Sequence, residues 1–65
     1  MNNKILNVTN IVSGNRLDKA IALLDPSITR SKSEQLIEEG LVFVNGKVEK
    51  NSYKVKENDE IKILE

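Results

Sequence analysis

Residues Thr29 to Lys47, TRSKSEQLIEEGLVFVNGK, leave little freedom in how this chain can fold. Ser31 with Glu34 three residues on is the pattern of a capping box, so a helix is expected to start near Thr29 or Ser31. Ser33, Leu36, Ile37 and Gly40 share its inner face. Gly40 suits the left-handed position that ends a helix. Val42 and Val44 then point one way and Phe43 the other, as in a strand. Asn45-Gly46 signals a hairpin because both residues accept positive φ. Lys47 and Val48 begin the return strand.

The flanking segments complete a small α+β pattern. Ile5 to Val12 alternates imperfectly and predicts a short edge strand. Ser13-Gly14-Asn15 is a turn that offers caps for a following helix. Leu17, Ala20, Ile21 and Leu24 recur at helical spacing, in RLDKAIALL from Arg16. Pro26 stops that helix soon after Leu24, since a residue before proline avoids helical angles. Asp25-Pro26-Ser27 is a short connector. Beyond the hairpin, Tyr53 and Val55 suggest another extended piece. Glu57 to Glu60 reads as a turn, and Ile61, Ile63 and Leu64 are expected to close the sheet.

Composition excludes several functions. The chain has 65 residues, which makes residues 1–65 one small domain. A chain of that size hides only about 60% of its unfolded surface on folding. It has no cysteine and no histidine, so disulfides, the usual zinc sets and the commonest general base are missing. No metal or cofactor site and no catalytic residue is expected. No stretch approaches the ~20 apolar residues that span a bilayer. The opening MNNKILNV lacks a continuous apolar run, so no signal peptide is expected and the expected location is the cytoplasm.

Lys plus Arg equals Asp plus Glu, at ten each, so whole-chain charge argues for no particular partner. The distribution is less even. Arg16, Lys19, Arg30 and Lys32 stand against Asp18 and Asp25, and Lys47, Lys50, Lys54 and Lys56 against Glu49. The acids gather in Glu34, Glu38 and Glu39 and near the end of the chain. A neutral sum can hide a basic face.

Arg16 and Arg30 are the leading candidates for a binding site. Read singly, either is ordinary solvated charge. Together they stand at the entries of two consecutive helices, where free backbone N–H groups and the positive dipole end already favour a phosphate. A guanidinium adds a forked match to phosphate oxygens. Thr29, Ser31 and Gln35 are either a cap and an exposed helix face or hydrogen-bond donors to phosphate and ribose. Lys47, with Lys50 and Lys54, either extends a basic strip or blunts a sheet edge. Asp18 has no partner carboxylate, histidine or pocket around it, so it reads as structural, pairing Arg16 or a nearby amide. One Phe and one Tyr are too few for stacking along a single strand, so an RNA partner would be read by shape.

Arg16-Leu17-Asp18, Thr29-Arg30-Ser31, Gln35-Leu36-Ile37, Gly40, Val44 to Lys47, Ser52-Tyr53 and Val55-Lys56 with Asp59 and Ile61 together resemble the S-four RNA-binding domain family. The segments LLDPSITRS and LIEEGLVFVNGKVEKNSYKVKENDEI look most like the N-terminal domain of large-subunit ribosomal RNA pseudouridine synthases. The resemblance implies the alpha-L RNA-binding motif, two helices on a small, strongly bent, antiparallel-rich sheet. Its core would be residues 16–61, with residues 1–12 an N-terminal strand or extension. It implies structured RNA, of ribosomal origin, as partner of a monomer. Carried over by position, it implicates Arg16, Thr29, Arg30, Ser31, Lys32, Gln35 and Lys47. Two positions depart from the family pattern. Glu34 stands where relatives often carry Gln or Arg, and predicts weak binding. Asn58 stands where Gly is usual, and tolerates the same turn.

In the synthases a separate, larger domain carries the catalytic aspartate, so Asp18 is not a nucleophile. The chain is then expected to be an excised targeting domain or a free-standing relative, and not itself an enzyme. The rival reading is a protein-interaction module whose helix pair docks a partner or the parent's catalytic domain. Neutral charge and the acidic second helix favour that rival.

Overall fold

The computed structural model describes residues 3–64. Met1, Asn2 and Glu65, which belong to the predicted extension and the closing strand, lie outside the described residues. Strand β1 (Asn3–Asn7) is followed by helices α1 (Leu17–Leu24) and α2 (Arg30–Glu38). Strands β2 (Val42–Val44), β3 (Lys47–Val48) and β4 (Glu60–Leu64) complete the chain. The strands form one antiparallel sheet in the order β1-β4-β2-β3. This is the expected α+β class.

Hydrophobic burial assembles the layers. Leu17, Ala20 and Ile21 of α1 and Leu36 and Ile37 of α2 share one core with Val42, Val44, Ile61 and Ile63 of the sheet. Ile61 and Ile63 are wholly buried while Glu60 and Lys62 are exposed, the alternation of a strand with one wet face. β4, the strand expected to close the sheet, is one of its two inner strands. It lies between β1 and β2, with Ile61 opposite both Leu6 and Val44.

Two expectations need correction. β1 covers Asn3–Asn7 rather than Ile5 to Val12. The chain leaves the ladder because Thr9 O accepts from the amides of Val12 and Ser13, so Val8 and Val12 are buried by a turn. The extended piece expected at Tyr53 and Val55 is present, outside the sheet. It pairs with the turn before α1, through Leu17 N to Tyr53 O, Val55 N to Asn15 O and an isolated Arg16–Lys54 bridge. The predicted caps also move. Thr29 Oγ1 accepts from Lys32 N at 3.1 Å, so Thr29 is the α2 cap and the Ser31–Glu34 box does not form. Arg16 occupies the α1 cap position without a side-chain capping bond, while Asn15 Nδ2 donates to Val12 O.

The turn chemistry agrees with the sequence. Asn45 and Gly46 have φ of 52° and 84°, both positive as the two-residue hairpin needs. Asn58 takes φ 74°, and Gly40 ends α2 at φ 76°.

Two carboxylates fasten the pieces. Asp25 accepts from Lys4 Nζ at 2.7 Å and from the Ser27 amide and hydroxyl, joining β1 to the helix connector. The Lys4 bond, then the Ser27 bonds, hold its carboxyl at about 2 against an ordinary 3.8. A depressed pKa stabilises the fold above the unfolded value, and that contribution disappears as pH falls through the folded one. Lys4→Met should therefore move the acid-unfolding midpoint, followed by circular dichroism, to higher pH. An unchanged midpoint would show that the contact does not contribute.

Asp59 joins the hairpin to the 53–56 segment. Its Oδ1 accepts from Asn45 Nδ2 at 2.9 Å, and its Oδ2 from Tyr53 OH at 2.8 Å and Lys56 N at 2.9 Å. Burial pushes this carboxyl up. The Lys56 amide, Asn45 and Tyr53 more than offset that and hold it below its ordinary value. The same bond to Asp59, followed by burial, raises the Tyr53 phenol.

Candidate nucleic-acid interface

The interface is organised by a buried charge. Asp18 stands in the first turn of α1 with no side-chain exposure. Its Oδ1 accepts from the Lys19 amide at 2.7 Å. Its Oδ2 receives Arg16 Nη2 at 3.3 Å and lies 3.6 Å from Arg30 Nε. Arg16 precedes α1 and Arg30 opens α2, so the two helix entries meet at one carboxylate oxygen. A simple antiparallel helix pair would have held them apart.

The consequence is electrostatic. Two guanidiniums share one carboxylate, which leaves a local surplus of one positive charge. Both arginine side chains remain about half exposed, at 45% and 50%. Each guanidinium has five N–H donors, and Asp18 occupies few of them. The remainder can meet phosphate oxygens in pre-set positions. Removing one partner of a buried pair leaves the other uncompensated, so the trio is also a structural element. Lys54 adds to it, because bridge partners carry their side chains on the same side, and Lys54 is the bridge partner of Arg16.

The other sequence candidates are dispersed. Thr29 adjoins Arg30 and spends its oxygen on the α2 cap, while its hydroxyl proton can still be donated. Ser31 and Lys32 are exposed in the first turn of α2. Gln35 is exposed, and its amide donates to Glu39 Oε2 at 3.3 Å along the same helix. Lys47 is exposed on β3. Glu34 is half-buried, and Glu38 and Glu39 are exposed.

The sequence reading missed the double role of Asp18. It paired the aspartate with Arg16 or an amide, both of which occur, and did not bring in Arg30. A carboxylate two residues after one helix-entry arginine, on a face shared with a second helix, was the available signal.

A family model, the S4 domain, matches residues 15–61. The chain belongs to the S4 domain family. The match runs from the turn before Arg16 to Ile61, and so includes the Asp18 trio, the Asn45-Gly46 hairpin and the Asp59 junction. The S4 domain supports a role in RNA binding. The chain is also similar to an uncharacterized RNA pseudouridine synthase of Chlorobaculum parvum, 39% identical over 56 residues. That alignment covers 86% of this chain and 17% of the relative, so the chain spans only a small part of the relative's length. Among the described residues, no cluster of three or more His, Cys, Asp or Glu side chains is placed to hold a metal ion. No described helix is long and apolar enough to cross a membrane.

Proposed function

We propose that this S4 domain docks structured ribosomal RNA through phosphate contacts, as the targeting domain of a large-subunit rRNA pseudouridine synthase. The observation that carries the reading is the convergence of Arg16 and Arg30 on Asp18. Phosphate contacts fix position and carry most of the affinity without reading sequence. Arg16 and Arg30 form the centre of the surface. Thr29, Ser31, Lys32 and Gln35 extend it along α2, and Lys47 supplies a contact on the hairpin. The domain acts as a cytoplasmic monomer and catalyses nothing itself. Catalysis belongs to the larger remainder of such an enzyme.

The test is the salt dependence of binding to a ribosomal RNA hairpin. With about four contacts, affinity should fall by roughly 0.8 of a decade for each doubling of salt. A flat dependence would contradict the proposal. It would favour the interaction-module reading, for which the exposed Glu38 and Glu39 of α2 are the supporting observation.

A further inference from the structure

Beside the arginine pair lies an open groove of about 870 Å³, between the end of α2 and the segment that follows β3. Arg16 lines it at one side. Ile37, Val48 and Tyr53 supply apolar wall, and Glu38, Glu49, Lys50 and Asn51 supply polar groups. The volume falls in the range of small-molecule sites, roughly 300–1,000 Å³.

We propose that this groove receives an unpaired RNA base carrying an exocyclic amino group, from the strand whose phosphates lie on Arg16 and Arg30. The inference rests on the proposed RNA-docking role and adds a specificity element to it. Three features carry it. First, Arg16 belongs to both surfaces, so a strand held there has a base within reach of the groove. The Leu17 N to Tyr53 O bond and the Arg16–Lys54 bridge fix the groove wall to the entry of α1. Second, the lining suits a base better than a phosphate. Glu38 and Glu49 offset the charges of Arg16 and Lys50, which leaves the lining without a net positive charge to draw a second anion, and they accept hydrogen bonds from amino groups. Ile37, the Tyr53 ring and the Arg16 guanidinium plane offer surfaces to a flat heterocycle, the usual means of holding a splayed RNA base.

Third, Asn51 has an unmet need. Its Oδ1 is shielded from solvent and has no hydrogen-bond partner. Buried polar atoms without partners are uncommon and costly. A turn of the amide about χ2 would present this acceptor to the groove, where an amino group of adenine or cytosine can donate to it. Uracil has a carbonyl in place of the amino group, and its single ring N–H gives the Asn51 acceptor and the two carboxylates one donor instead of the amino group's two.

The experiment compares a short RNA hairpin in three forms: fully paired, with one bulged adenosine, and with one bulged uridine. Binding is measured at low salt by fluorescence anisotropy. The bulged adenosine should bind about tenfold more tightly than the paired stem, the scale of one stacked base, and more tightly than bulged uridine. Asn51→Ala should abolish that preference, leave affinity for the paired stem unchanged and not lower the melting temperature, because it removes an unpaired acceptor. Ser52→Leu, at an exposed position lining the groove, should also abolish it by occupying the space. Equal affinity for paired and bulged hairpins, or for the two bulges, overturns the inference and leaves the phosphate reading standing. No binding of any hairpin overturns both.

Discussion

Arg30→Glu should weaken binding to a structured RNA hairpin by roughly tenfold to a hundredfold, the range of one to two charge-assisted hydrogen bonds. The substitution removes a phosphate contact and puts a negative charge in its place. It also alters the local balance, because Asp18 loses one cationic neighbour and gains an anionic one within the same few ångströms. Asp18 still keeps Arg16 and the Lys19 amide. The circular dichroism spectrum should therefore remain that of the folded domain, with a melting temperature lower by a few degrees. Lys56→Glu is the comparison. It imposes the same change in net charge at an exposed position outside the proposed surface. Its effect should be a few-fold at most, since distant exposed charges are largely screened within about 10 Å at 0.1 M salt. Equal losses from the two variants would place the binding surface elsewhere.

Asp59→Ala should be the most damaging single change to the fold, at about 3 kcal/mol. Asn45 Nδ2, Tyr53 OH and Lys56 N would all lose the same acceptor. A hydrogen bond to a charged group contributes about 1.5–3 kcal/mol, and three on one carboxylate do not simply add. A chain this short holds itself together by only about 3–10 kcal/mol in total. The melting temperature should fall by roughly 15 °C. Tyr53→Phe, which removes one of the bonds, should cost a fraction of that. The pH dependence provides an independent readout. The folded pKa of Asp59 is depressed, so its contribution is complete above the ordinary carboxylate value and disappears as pH falls through the folded one. Asp59→Ala should flatten that part of the acid limb. A melting temperature within two or three degrees of the unsubstituted domain would contradict the role of this junction.

Local signals made much of the fold legible. Leu17, Ala20 and Ile21 announced a helix face, and Asn45-Gly46 a hairpin, because each depends on a few neighbouring residues. Gly40 and Asn58 were placed by one dihedral angle each, and the angles agree. What the sequence did not show depends on chain segments meeting at long range. Ile61 and Ile63 look alike at a sheet edge or a sheet centre, and only the return of β1 puts β4 in the middle. Tyr53 and Val55 are good strand residues, yet they pair with the turn before α1. Thr29 and Ser31 are equally good caps, and the helix begins one residue after Thr29.

The site divides in the same way. Arg16 and Arg30 were visible as helix-entry cations, but their meeting at Asp18 depends on how the helices cross. The acid looked like a dipole complement and is also the post on which both guanidiniums rest. Asn51 carried no signal by sequence, Tyr53 read as part of an extended piece and of a family motif, and their relation to Arg16 exists only once that segment folds back on the entry of α1. Lys47 and Gln35 were equally conspicuous in sequence, and they stand exposed on β3 and on α2.

The central claim is that the helix entries around Asp18 form the RNA-docking surface. Its most direct test is an amide chemical-shift titration of the nitrogen-labelled domain with a structured ribosomal RNA hairpin, at low and then moderate salt. The account predicts shifts concentrated at Arg16 to Lys19 and Thr29 to Gln35, with a smaller group at Lys47, all weakening as salt is raised. Shifts confined to other surfaces, or none even at low salt, would contradict it.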